Sequence, residues 1–546
     1  MRGIDFDRKY NMENSISLFD SIIIFIYLIT VLAIGLKARN QDKNSAEYFL
    51  ANRNLGWIAV GISIFAANIS SEHFIGLAGS GATRGLAVGQ FELIAIFLLI
   101  LLGWIISPIY KNLGIFTSSE FLEKRFDRAS RKFYSGISIF TYIITKILVT
   151  LFAGGILFNR ILGWSIFSSA SAIVLITGIY TLVGGFSAVV RTQVFQGIFF
   201  FITAFVFTIF GLNEVGGIFG LMEKLPADYF QMFKPIDDPE FPWTGIIFGA
   251  PIIAFWYWCA DNYILQRIIA AKSIENARSG TLLASFLKIF PIFILVLPGL
   301  VSAALYPGIN GDEAYPVLLS SNIIPSGVRG FIIAGFLGAM MSSLSASFNT
   351  ISELYTIDFY KPGHPNASER TLVLVGRMVT IFIVVFVLLI VPFVKVINNQ
   401  IYIFLQSTQA FISAPITAVF IIGLLFKKIK SKSAFIGLII GEFFGLSRFV
   451  IELMMKSNLI SNKILFAYAK INYLHFAIFL FLITSLMIFV FNYLFQSEYD
   501  LNASKNFFSM GMQSSSIDIR MQNIKMNILI SGVILILTIG LWYLFM

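Results

Sequence analysis

Residues 66–81 read AANISSEHFIGLAGSG. They sit inside a segment apolar enough to cross a membrane, yet Asn68, Ser70, Ser71, Glu72 and His73 follow one another almost without interruption. Polar and ionisable side chains in a spanning helix are expensive, so such a cluster marks a place that meets something other than lipid. Gly76, Gly79 and Gly81 come next, and glycine weakens a helix. The stretch is therefore expected to break and to free backbone carbonyls as ligands.

The rest of the chain supplies the membrane. Of 546 residues, 57% are hydrophobic and 12% charged, against roughly 25% charged in a soluble domain, and the mean hydropathy is +0.83. Apolar runs of about 20 residues predict about 14 spans, at 19-37, 54-78, 86-110, 133-159, 164-183, 192-213, 244-266, 280-306, 327-357, 371-396, 401-426, 433-453, 473-495 and 526-545. They use up nearly all of the chain and leave no soluble domain able to fold alone. The formal charge of +10 would suggest an anionic partner in a soluble protein. Here its distribution matters more: the loops after odd-numbered spans hold about 23 Lys and Arg against about 12 on the other side. That asymmetry predicts a multi-pass protein of the plasma (cytoplasmic) membrane with 38-53, 111-132 and 427-432 inside and both termini outside.

Cys259 is the single cysteine, which excludes intramolecular disulfides and cysteine metal clusters. The polar N-terminus lacks a small-residue cleavage site, so 19-37 is read as a retained span. Asn366-Ala367-Ser368 matches a glycosylation acceptor but falls on the inner side.

A second span also looks broken. FWYWCADN (255–262) sets four large aromatics against an intramembrane Asp261 and Asn262. Backbone leaves helical geometry at membrane depth only where protein or a cavity surrounds it. Spans 2 to 6 make five helices and spans 7 to 11 another five, and the broken span is first in each five. Interruptions at matching positions point to an inverted repeat with its binding site at the repeat interface. The expected organisation is 1-53 for a flanking helix and loop, 54-213 for the first repeat and 214-243 for an outer loop. The second repeat follows at 244-426 and further flanking helices at 427-546. In span 9, AMMSSLSASFNT (339–350) carries Ser342 and Ser343. Hydroxyls in such helices commonly pack helix against helix. Facing a broken span, they also offer a monovalent cation the neutral oxygens it prefers.

Several stretches in order carry a family resemblance: ANISSEHFIGLAGSGA (67–82), GWIISPIYKNLGIFTSSEFLEKRF (103–126), LVGGFSAVVRTQVFQ (182–196), WYWCADNYILQR (256–267), FLKIFPIFILVLPG (286–299) and SSLSASFNTISELYTIDFYK (342–361). The sequence resembles the sodium/solute symporter family, in its sodium/glucose and sodium/myo-inositol cotransporter branch. The resemblance implies an all-α polytopic fold, the LeuT-type inverted repeat of five plus five helices with extra flanking helices.

It also implies residues. The sodium site would use the carbonyls of Ala66, Ile69 and Ala339 with the hydroxyls of Ser342 and Ser343. None of the five titrates, which favours Na+ over protons as the coupling ion. Sugar-contacting positions would be Asn68, His73, Glu92, Tyr257, Trp258, Lys288 and Gln406. Such mixed amide, carboxylate, imidazole and ammonium partners with an aromatic face suit a ring of hydroxyls. Tyr257 resembles an inner gate, and Leu77, Phe91 and Tyr402 an apolar outer gate. Taken singly these residues have plainer readings: Tyr257 and Trp258 as packing aromatics, Gln406 as near-interface polarity, Lys288 as a snorkelling side chain. Lys146, in mid-span, is read as structural.

Two departures bear on stoichiometry. Gln193 stands where the family usually has an acid, and Ser345-Ala346 where a Thr-Ser pair marks a second sodium site. Both point to one sodium per cycle. Glu353 replaces a small polar residue. The expected function is sodium-coupled symport of a glucose- or galactose-like monosaccharide by alternating access, with myo-inositol or another solute as the alternative. A solute sensor would need a signalling module, for which the loop 496-525 is too short. An enzyme would need a nucleophile with its base or a metal cluster, and no span pair provides one. The partners expected are a sugar or polyol, sodium and the lipid bilayer, with no nucleic acid and no obligate protein partner.

Overall fold

The computed structural model describes residues 16–38, 44–392, 400–456, 462–495 and 521–546. The end of the expected span 371-396 and most of the loop 496-525 lie outside the described residues. Among those described, the regular elements are helices, joined by two isolated bridges.

Twelve helices are long and apolar enough to cross a membrane, fewer than the fourteen spans expected. The difference lies in two helices that run on through a bend. His73–Leu113 has 41 residues and Ile166–Val215 has 50. At about 1.5 Å per residue they measure about 60 and 75 Å, twice the hydrocarbon thickness. Each bends at a glycine whose positive φ a side chain would resist: Gly85 at +69° and Gly185 at +51°.

The first broken span consists of Trp57–Asn68, an extended pair at Ile69 and Ser70, and helical turns that continue through Ala78–Arg84. The second is Ala250–Phe255 and Trp256–Ala260, a break at Asp261, and Asn262–Ile269. The two breaks share one backbone geometry: Ile69 has φ −75° and ψ 117°, Asp261 φ −69° and ψ 125°. Opening spans of two five-helix repeats thus leave the helix in the same way, as the LeuT-type inverted repeat requires. Asp261 caps its second half by accepting from the Tyr263 N–H at 3.2 Å.

The glycines after the first break do something other than break it. The helix has already left α geometry at Ile69, seven residues before Gly76. A Cβ on Gly76 would lie 2.9 Å from the Tyr402 backbone nitrogen, and one on Gly79 2.7 Å from Gly311. They let the second half-helix lie directly against the neighbouring chain.

Burial sorts the bundle into centre and rim. Val328–Gly363 is 94% buried over its most apolar stretch and Ile401–Leu425 83%, whereas Leu18–Lys37 and Ile524–Leu544 reach only 22%. The helices outside the repeats therefore turn their apolar surface outward, as expected of flanking helices in lipid.

Candidate functional site

The polar run after Asn68 is anchored to one residue of a neighbouring helix. On Val149–Leu162, the Thr150 carbonyl accepts from Ser71 Oγ at 2.7 Å, and Thr150 Oγ1 lies 3.3 Å from Ser70 Oγ and donates to Glu72 Oε2 at 3.2 Å. His73 Nδ1 accepts from the Ser70 N–H at 3.4 Å. The break is thus over-determined by side chains, and Asn68 and His73 are left aimed at the interior.

There they meet a cavity of about 60 Å³. All seven expected sugar-contacting residues, Asn68, His73, Glu92, Tyr257, Trp258, Lys288 and Gln406, line it. Lys288 does not snorkel: it is 1% exposed, bonds Asn68 Oδ1 at 2.6 Å and forms an ion pair with Glu92. Asn68 Nδ2 donates to the Tyr257 hydroxyl at 3.1 Å, as does Lys146 Nζ from the other side, also at 3.1 Å. The Lys146 ammonium lies 4.1 Å from the Tyr257 ring centroid, a cation-π contact. Lys146, read as structural from sequence, thus lines the cavity and has Tyr257 as its partner. Glu72 and Gln409 also line it and were not singled out as site residues; Gln409 is one helical turn beyond Gln406, a spacing that could have found it.

Above the cavity, Phe91 and Tyr402 meet edge to face at 5.9 Å, and Gln406 Nε2 donates to the Tyr402 hydroxyl at 3.1 Å. Leu77, expected in the same gate, is buried but does not line the cavity. It follows Gly76, whose close approach to Tyr402 seats the half-helix. Tyr257, on the second broken span, lines the same cavity.

The five expected sodium-site residues surround the first break. Ser342 Oγ donates to the Ala66 carbonyl at 2.7 Å, joining the helix Val328–Leu354 to the end of Trp57–Asn68. Ser343 Oγ lies 3.0 Å from the Tyr263 hydroxyl, which donates to the Ala67 carbonyl at 2.8 Å. Ile69 is the C-cap of its half-helix, and Ala339 lies one turn before Ser342 and Ser343 on the same face. These are neutral oxygens, the ligand type that suits a hard monovalent cation. Gln193 is drawn into the same region. Its Nε2 donates to the Ser342 carbonyl and its Oε1 accepts from Arg267 Nη2, each at 3.2 Å. Glu353 gains a place too: it accepts from Asn262 Nδ2 at 2.7 Å, fastening the second broken span to Val328–Leu354.

Both ends of the bundle are tied shut. At one, Arg84 Nε donates to Glu240 Oε2 at 3.0 Å, and Gln400 Nε2 donates to Glu240 Oε1 at 3.2 Å. Asp312 accepts from the N–H groups of Gln400 at 2.8 Å and Ile401 at 3.1 Å, capping the helix that carries Tyr402. Burial pushes the Asp312 carboxyl up to about 6 against the pull of those two donors. At the other end, Asp358 accepts from Thr117 Oγ1 at 2.9 Å and from Arg131 Nε at 2.9 Å, and Ser119 and Ser135 also donate to it. The geometry is that of a polar cavity between two hydrogen-bonded ends, beside a cluster of neutral oxygens.

Known proteins resemble the chain throughout. The profile of the Sodium:solute symporter family matches residues 48–441. "Sodium/glucose cotransporter 2" of Rattus norvegicus is 35% identical over 512 residues, covering 85% of this chain and 76% of that one. "Sodium/myo-inositol cotransporter 2" of Bos taurus is 35% identical over 473 residues, covering 79% and 70%. Among solved structures, the substrate-bound outward-open state of a Na+-coupled sialic acid symporter aligns with a TM-score of 0.76 at 22% identity, over 88% of this chain and 98% of that one. That of Mhp1, a nucleobase-cation-symport-1 family transporter, aligns at 0.50 and 14%, over 86% and 100%. These two likenesses bear on the fold alone.

Proposed function

The chain belongs to the sodium:solute symporter family, and we propose that the solute it moves with sodium is a neutral monosaccharide of the glucose or galactose kind. It is a transporter and not an enzyme, and sodium is its coupling ion. The observation that carries the sugar reading is the pairing inside the cavity. Lys288 is neutralised by Glu92, and Lys146 is met by the hydroxyl and face of Tyr257. The wall therefore offers donors and acceptors around an aromatic floor, and its two ammonium groups, Lys146 and Lys288, are balanced by two carboxyl groups, Glu72 and Glu92, so it carries no excess of cation for an anionic solute. That chemistry favours an uncharged polyol over an acid or an amino acid. Relatives named for glucose and for myo-inositol support the same class, with the inositol ring as the second reading.

In this reading sodium binds between the carbonyls of Ala66, Ile69 and Ala339 and the hydroxyls of Ser342 and Ser343. The sugar contacts Asn68, His73, Glu92, Tyr257, Trp258, Lys288 and Gln406. Asn68 belongs to the same broken segment as Ala66 and Ile69, so binding at either site biases the geometry of the other, and each ligand raises the other's affinity by the same factor. One sodium moves per cycle, since Gln193 and Ala346 supply neither the carboxylate nor the hydroxyl of a second site. A potential of 100 mV then adds about 2.3 kcal/mol per cycle. Phe91 and Tyr402 gate the outer side and Tyr257 the inner. Both termini are outside the plasma membrane, which places the Arg84–Glu240 tie at the outer end and the Asp358 cluster at the inner.

Uptake of radiolabelled glucose, galactose and myo-inositol into proteoliposomes, with and without an inward sodium gradient, tests the proposal. Gradient-driven accumulation of one of the first two is expected. Equal uptake in both conditions would sink sodium coupling, and accumulation of myo-inositol alone would move the solute to the second reading.

A further inference from the structure

Glu72 is the residue of the opening polar run that neither the sodium site nor the expected sugar contacts use. It is fully buried in the wall of the cavity. Its two carboxylate oxygens differ. Oε2 is held by Thr150 Oγ1 at 3.2 Å, which fixes the orientation of the group. Oε1 is buried and accepts no hydrogen bond among the described residues. The nearby His73 Nδ1, at 3.8 Å, is beyond hydrogen-bond reach and already accepts from the Ser70 N–H.

A buried carboxylate oxygen without a donor is costly, and one that sits in the wall of a cavity has room there for a water or a ligand to complete it. The neighbouring acid shows the contrast: Glu92 in the same wall is satisfied by the Lys288 ammonium. We infer that Glu72 is a solute-contacting residue, whose free Oε1 accepts a hydrogen bond from one hydroxyl of the bound polyol. A carboxylate only accepts, so the contact selects for a hydroxyl that donates at that point of the ring. Thr150 acts as the positioning residue, since it ties Glu72 to the same turn that docks Ser70 and Ser71.

The inference rests on the polyol reading above, and the experiment separates the two. Inhibition of uptake by single-deoxy analogues of the transported sugar is measured for the unaltered protein and for Glu72→Ala and Glu72→Gln, the latter keeping the side-chain volume. In the unaltered protein, the analogue lacking the hydroxyl that meets Glu72 should bind about tenfold to a hundredfold more weakly than the parent sugar. In Glu72→Ala that penalty should nearly vanish and in Glu72→Gln fall at least about threefold, with the penalties at other ring positions unchanged. Penalties that stay the same at every position, or shrink together by a common factor, would overturn the contact. An unaltered protein that transports no sugar or polyol would overturn the polyol reading and the contact with it.

Discussion

Removing the Lys288 ammonium while leaving Glu92 in place should be far more damaging than removing both charges. Lys288 is 1% and Glu92 3% exposed, so neither charge has bulk water to fall back on. In Lys288→Met, Glu92 keeps a buried carboxylate without its cation, and Asn68 Oδ1 loses a donor at 2.6 Å. Breaking a buried pair from one side costs about 3–5 kcal/mol. In the double variant Lys288→Met with Glu92→Gln the stranded charge is gone. What remains is the loss of a few hydrogen bonds, about 1 kcal/mol each, partly recovered by the amide. The single variant should therefore be less stable than the double by about 2 kcal/mol or more. Equilibrium unfolding in mixed detergent micelles at fixed sodium reads this difference. A pH near 8 is the right condition, because His73 Nε2 lies 3.7 Å from Glu92 and an ordinary histidine is uncharged there. Both variants should lose uptake, since both residues line the cavity, so stability discriminates and transport does not. A single variant as stable as the double would refute the pair as a structural unit.

Two further outcomes follow from the ends of the site. Ser343→Ala should raise the sodium concentration for half-maximal uptake about tenfold or more, the worth of one oxygen ligand to a charge, whereas Ser345→Ala, whose hydroxyl donates to the Ser342 carbonyl, should not; unchanged sodium dependence in the first would remove Ser343 from the site. Asp312 is held up at about 6 from an ordinary 3.8, so the penalty on its charged form is full above pH 6 and gone below pH 4. The stability gained by Asp312→Asn over the unaltered protein should accordingly be largest above pH 6 and shrink as pH falls toward 4, read by thermal unfolding across that range. Parallel curves would contradict it.

How far the sequence disclosed the site depends on whether a residue's role is local. The broken spans were legible because a polar run at membrane depth and an Asp-Asn pair after four aromatics violate the local rule for a spanning helix, and the structure breaks at both, at Ile69 and Asp261. Ser342 and Ser343 stood out for the same reason. The role of Gly76 and Gly79 was misjudged, because the need for glycine there comes from Tyr402 and Gly311, more than 200 residues away in sequence. Thr150 could not be singled out at all: one threonine in an apolar helix is ordinary, and its contacts with Ser70, Ser71 and Glu72 exist only once the helices pack. The gaps at 79–85 and 184–191 separate spans in the sequence, whereas the backbone runs on through a bend at Gly85 and at Gly185.

The extended backbone at Ile69 and Ser70 has a consequence for how ion and solute communicate. These residues sit where the helix is interrupted, held by the Phe65 carbonyl, by His73 and by Thr150, and each residue whose remaining backbone freedom a ligand removes costs about 1–2 kcal/mol of conformational entropy. Sodium on the Ile69 carbonyl, or a hydroxyl on Glu72, would each still the same few residues. Whichever arrives first meets the cost of ordering them, and the second finds them already set. Cooperativity of this kind requires no displacement between the two sites. It requires only that they share one short, non-helical length of chain.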